Sequence, residues 1–412
     1  MNPNPIAAPL KLPCGSLLKN RIAKAAMSEN MSTPDHAADG RMEALYSRWA
    51  EGGAGLLITG NIMIDPSALG EPRNIVIDKG RDHSALKRWA EAGTRNETQL
   101  WAQLNHPGKQ SPQFLSRQPV APSAIELKPP LNKLFRQPRA LEEQEIHDLI
   151  GRFGYAARVA QECGFTGVQI HGAHGYLVSQ FLSPHHNQRT DSWGGSLENR
   201  MRFAVEVYQA IRREVGPGYP VSIKLNSADF QRGGFTQEDS MQVVRHLSAQ
   251  GMDLIEISGG NYESPEMMGM TQKTSTRERE AYFLDYCEKV RGNASAPLML
   301  TGGFRSWDGM NAALNSGACD VIGLARAIAL NPLFPRQLLS GRESREIKSE
   351  VRPLTTGWRV LDRLFPLEIT WYTQQLHRMG KGKSPKPNLS VKASVLSTMI
   401  DLGTQSLRRV RG

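Results

Sequence analysis

Cysteine is scarce in this chain. Four residues, Cys14, Cys163, Cys287 and Cys319, are scattered over 412 positions with no Cys-x-x-Cys pair. That spacing excludes a disulfide-stapled scaffold and a ligated iron–sulfur cluster, and it reads as reduced core thiols of a cytoplasmic protein. Long apolar runs are also missing. No stretch reaches the roughly 18–20 apolar residues that a membrane helix needs, so no integral membrane segment is expected. The first five residues include two prolines, and no charged region leads into an apolar one, so no secretory signal is expected. No Gly-x-Gly-x-x-Gly turn follows a strand-like run, which removes the dinucleotide fingerprint of a doubly wound sheet. Acidic residues fall short of basic ones, for a formal charge of +10, but the excess is local. Residues 341–412 hold 14 Lys/Arg against 6 Asp/Glu, so the first 340 residues carry little net charge. A nucleic-acid-binding surface is therefore not expected on the main body.

What is present is a repeat. Apolar, strand-like runs recur near 21–27, 54–60, 98–104, 166–170, 220–225, 252–257, 297–301 and 320–324. Amphipathic stretches at 41–51, 83–93, 142–163, 197–215, 237–250, 278–291 and 306–316 separate them, several opening on a capping residue and closing on glycine. This alternation predicts an α/β fold, a (β/α)8 barrel spanning 1–340, because right-handed crossovers put every helix outside a closed parallel sheet. Two connections, 105–141 and 171–197, are long enough to shape a pocket at one end. Beyond 340 the repeat stops. A mostly helical, basic extension is expected at 341–412, with helices around 360–379 and 391–403. Its lysines read as a solvated face or as a contact in a homo-oligomer.

The most informative stretch is His171-Gly172-Ala173-His174-Gly175-Tyr176, directly after the strand-like run Gly167-Val168-Gln169-Ile170. Two imidazoles and a phenol cluster at the carboxyl end of a strand, where parallel α/β folds bind ligands. The segment continues through Ser183-Pro184 to Asn187-Gln188-Arg189-Thr190-Asp191-Ser192-Trp193-Gly194-Gly195-Ser196-Leu197-Glu198-Asn199-Arg200. Residues 170–203 closely resemble the signature segment of the Old Yellow Enzyme family of FMN-dependent NAD(P)H oxidoreductases, and the likeness extends over roughly 5–340.

The resemblance implies FMN as cofactor, NAD(P)H as reductant and an enone or related electron-poor alkene as the small-molecule substrate. The expected reaction is reduction of an activated C=C bond by hydride transfer from flavin N5. Tyr176 is then the implied proton donor, with His171 and His174 on the substrate carbonyl. Ala25, Ala26, Met27 and Ser28 align with the segment lying along the flavin, where the family often has Pro-Met followed by Thr or Cys. Asn30 stands where many members place a substrate-contacting Tyr. Gly60, Asn61, Gln103 and His171 are the further implied flavin contacts. Lys224 replaces the usual Arg beside the flavin's negative pole, and a buried cation there requires an anion. Gly302, Gly303, Phe304, Ala325 and Arg326 match the phosphate site. Two other readings compete. One is a metal-dependent barrel hydrolase using His171, His174 and His106. The other is a flavin-binding scaffold without turnover.

Overall fold

The computed structural model describes residues 4–264, 283–340, 346–348, 354–358, 362 and 366–402. Its central strands are β1 (Ile22–Lys24), β2 (Leu56–Met63), β3 (Gln99–Asn105), β4 (Gly167–Gly172), β5 (Val221–Asn226), β6 (Leu254–Ser258), β7 (Leu298–Thr301) and β8 (Val321–Leu324). Each pairs in parallel with the next, and β8 returns to β1 through Ile322↔Ile22, closing the sheet into the expected barrel. The helices between them are α1 (Gly40–Glu51), α2 (Ser84–Gly93), α3 (Glu143–Glu162), α4 (Leu177–Leu182), α5 (Leu197–Val215), α6 (Gln237–Ala249), α7 (Leu284–Arg291) and α8 (Trp307–Asn315). Short α4 was not expected; it interrupts the long loop after β4. Of the helix expected at 278–291, residues 278–282 lie outside the described residues. The capping signals are used as expected: Ser196 accepts from Asn199 N–H, Thr236 from Asp239 N–H and Ser306 from Gly309 N–H.

The strands are buried on both faces, and the two faces differ. Outward residues such as Leu57, Leu100, Val168, Ile223, Ile255 and Ile322 join the large core beneath the helices. Inward residues Ala23, Leu56, Trp101, Leu254, Met299 and Val321 form an apolar plug inside the barrel. Gly167 makes room for it, since a Cβ there would lie 2.5 Å from the Trp101 indole. One inward layer further along, the positions turn polar: Gln103, Gln169, Lys224, Glu256 and Thr301. An apolar floor under a polar mouth places the site at the carboxyl ends of the strands.

Beyond the barrel lie α9 (Arg326–Leu330), α10 (Phe334–Ser340), α11 (Leu367–Gly380) and α12 (Val391–Leu402). The helix expected at 360–379 is described from Leu367; 360, 361, 363–365 and 403 lie outside the described residues. Trp371 of α11 is fully buried in the main core, and its indole N–H donates to the Leu389 carbonyl at 2.9 Å. Gly380 lies against Met31 and Arg41, where a Cβ would come within 2.9 Å of the Met31 sulfur. The division into a barrel at 1–340 and an extension at 341–412 is a proposal from topology, and α11 shares the barrel's core. Lys381, Lys383 and Lys386 are exposed, as a solvated basic face requires. Among the described residues no helix is long and apolar enough to cross a membrane.

Candidate flavin and substrate site

Five consecutive strands contribute one buried polar chain at the barrel mouth. Gln103 Nε2 on β3 donates to Gln169 Oε1 on β4 at 2.7 Å, and Gln169 Nε2 donates to Glu256 Oε2 on β6 at 2.9 Å. The other Glu256 oxygen meets Lys224 Nζ on β5 at 3.0 Å and accepts from Thr301 Oγ1 on β7 at 2.7 Å. The anion that Lys224 requires is thus supplied, within the chain, by Glu256. The carboxylate is fully buried and Lys224 nearly so, and both carboxylate oxygens have partners, which buried charge demands. Asn105, on the same face of β3 as Gln103, is fully buried, and both its side-chain polar atoms lack a hydrogen-bond partner.

Where β4 ends, His171, His174 and Tyr176 converge. The His171 ring lies 5.1 Å from His174 and 4.8 Å from Tyr176, both edge-on. His171 Nδ1 accepts from the Ala173 N–H at 3.3 Å, which leaves Nε2 to carry the proton. His174 sits in the left-handed region (φ 61°), its N–H on Asn226 Oδ1 at 3.1 Å and its Nε2 2.8 Å from Ser258 Oγ. Burial drives both imidazole pKa values well below the ordinary 6.5, and the Lys224 charge adds to it. Both rings are therefore neutral at pH 7. Any pH–rate profile that depends on this cluster is expected to show no step near 6.5, and such a step would contradict neutral imidazoles. The Tyr176 phenol is pushed well above 10, by burial first and then by the Tyr262 and Glu71 charges.

The remaining expected residues divide. Ala25 is buried with the inner plug and its N–H donates to Leu324 O at 2.9 Å, tying the β1 end to β8. Gly60 lets the following segment close in. A Cβ there would stand 2.2 Å from Glu29 Oε2 and 2.4 Å from Met27 O. Glu29 in turn accepts from Gly60 N–H at 2.9 Å and from the Tyr46 hydroxyl. Ser28 donates to the Glu71 carboxylate, whose pKa burial raises. Asn30 (φ 48°) gives its Oδ1 to Arg73 N–H at 2.9 Å, so its amide oxygen is engaged away from the histidines. Asn61 lies close enough to the Tyr176 phenol to work against the rise in its pKa. Gly302 (φ 143°) and Gly303 (φ 81°) form the turn after β7, with Phe304 buried behind them. Ala325 precedes α9, and Arg326 pairs with Glu368 of α11 at 3.1 Å, a carboxylate brought by the extension.

Sequence reasoning missed Gln169, Glu256, Glu71, Tyr262 and Asn105. The first two carried a signal, since each is a polar residue at an inward position in the middle of a largely apolar strand. The ligand set of the hydrolase reading does not assemble. His106 is buried beside Asp65 with its Nδ1 on Gly108 N–H, and burial lowers its pKa to about 4. The metal-competent cluster found among the described residues is instead His185, His186 and Glu263. There Lys109 Nζ already sits 2.9 Å from His186 Nδ1.

Floor, mouth and paired imidazoles define a flavin-dependent barrel oxidoreductase. The chain belongs to the NADH:flavin oxidoreductase / NADH oxidase family, which it matches over residues 5–345. It is 37% identical over 363 residues to the NADH-dependent flavin oxidoreductase iliE of Hypocrea jecorina, covering 82% of this chain and 90% of that one. It is 33% identical over 408 residues to the NADH-dependent flavin oxidoreductase iccE of Talaromyces variabilis, covering 91% and 98%. Among solved structures it resembles an old yellow enzyme homologue from Zymomonas mobilis (TM-score 0.70, 26% identity, 84% of this chain and 95% of that one). It also resembles morphinone reductase in complex with tetrahydroNAD (TM-score 0.71, 26% identity, 84% and 93%). FMN is its cofactor and NAD(P)H its reductant. The mouth fits that group. An ammonium, paired carboxamides and the unpartnered Asn105 amide offer the donors and acceptors that a pyrimidine edge takes. Lys224, Gln103 and Asn105 would hold the ring, and the Gly302-Gly303 turn with Arg326 would hold the phosphate.

Proposed function

We propose that this chain reduces the activated C=C bond of an α,β-unsaturated carbonyl compound, with Tyr176 as proton donor. One observation carries the reading: two neutral imidazoles and a protonated phenol meet at the end of β4, beside a buried ammonium. Bound FMN would supply the two-electron and hydride chemistry, with NAD(P)H as the reductant. The chain's own residues do the rest. His171 and His174 donate N–H groups to the carbonyl oxygen and so favour the negative charge that develops there. Tyr176, with its raised pKa, keeps its proton until the enolate carbon becomes a base strong enough to take it. The Lys224–Glu256 pair sets a positive end under the mouth without leaving a bare charge.

Purified protein is expected to be yellow, to bleach on anaerobic titration with NADH or NADPH, and to regain colour with 2-cyclohexenone. A preparation that neither holds FMN nor takes it up contradicts the reading. Bleaching that no enone or other electron-poor alkene reverses would favour a flavin-binding scaffold instead.

A further inference from the structure

The hydroxyl of Tyr176 does not face the mouth alone. It lies 2.8 Å from the hydroxyl of Tyr262, with ring centroids 6.0 Å apart. Tyr176 is 6% exposed and Tyr262 36%, so the second phenol belongs to a residue that reaches the surface. The turn that carries Tyr262 is firmly built. Asn261 Oδ1 accepts from Glu263 N–H at 2.9 Å and Ser264 N–H at 3.0 Å, and Asn261 Nδ2 donates to Gln231 Oε1 at 2.9 Å. Asn261 also bridges in parallel fashion to His174, which ties this turn to the segment bearing the proposed catalytic cluster. The Phe135 ring stands 6.2 Å from Tyr262 on the side of the long loop after β3.

We propose that Tyr262 is the relay through which Tyr176 regains its proton from solvent, a positioning residue for the alkene step. The inference rests on the reading of Tyr176 as donor. In that step the Tyr176 O–H bond breaks as a C–H bond forms at the substrate α-carbon. In the same step the Tyr262 proton moves to the Tyr176 oxygen, and solvent water then reprotonates Tyr262. Neither tyrosine changes oxidation state. The two electrons come from NAD(P)H, and the net proton comes from solvent. A persistent phenolate at Tyr176 is disfavoured by burial and by the nearby Glu71, and Tyr262, itself raised to about 12, is protonated throughout the working range. A hydrogen-bonded hydroxyl chain of this kind passes a proton without either oxygen carrying full charge for long.

The test uses the holoenzyme labelled with 13Cζ-tyrosine. Tyr262→Phe is expected to shift the Tyr176 Cζ resonance. It is also expected to slow single-turnover alkene reduction about tenfold and to turn a curved proton inventory into a linear one. Tyr262→His, which can still relay, is expected to restore most of the rate. An unshifted Tyr176 resonance would mean the phenols do not meet, and the proposal falls. Unaltered alkene kinetics in Tyr262→Phe beside a slowed Tyr176→Phe would overturn the relay and leave the donor in place. Unaltered kinetics in both would overturn relay and donor together.

Discussion

Tyr176→Phe is expected to slow reduction of an enone by about 10²–10⁴-fold, the usual worth of a positioned general acid. Reduction of the bound flavin by NADH should stay within about twofold, because no proton is delivered to carbon in that half. The structure gives the substitution little else to disturb. Removing the hydroxyl breaks the bond to Tyr262 and leaves the ring packed edge-on against His171. Stopped-flow measurement of each half-reaction checks it. Equal losses in both halves would mean that Tyr176 shapes the pocket rather than donating.

Lys224→Met is expected to lower stability by roughly 3–5 kcal/mol, because it leaves the fully buried Glu256 carboxylate without its cation. FMN binding should weaken at least tenfold, about 1.4 kcal/mol. These losses have separate causes, and a second substitution divides them. In Lys224→Met combined with Glu256→Gln, no charge is left unpaired, and Gln can still accept from Thr301 or Gln169. Stability should return in the double variant while the weakened FMN affinity stays. Denaturant unfolding with an FMN titration reads both. If the single variant binds FMN as tightly as the parent chain, the ammonium serves Glu256 alone.

Much of this protein is legible along the chain. The strand runs, their caps and the closing glycines predict the barrel, because alternation and capping are local properties written within about ten residues. The strands observed differ from those expected by a few residues at their ends. β2, for instance, runs to Met63 after a register shift between Ile58 and Asn61. The His171–Tyr176 cluster is legible for the same reason, since one strand end and its turn carry all three side chains.

The partners of those side chains are not local. Glu256 meets Lys224 only because β5 and β6 pair in the register Lys224↔Glu256, and Tyr262 meets Tyr176 across 86 residues of sequence. His377 Nε2 of the extension donates to the Glu29 carbonyl, 348 residues away, beside the segment that begins at Ala25. By itself the sequence determined that a parallel barrel would present two imidazoles and a phenol at its mouth. Tertiary structure decided which carboxylate neutralises the buried ammonium and which hydroxyl touches the donor. Those choices follow from sheet closure and loop packing, which bring together residues that no periodicity links.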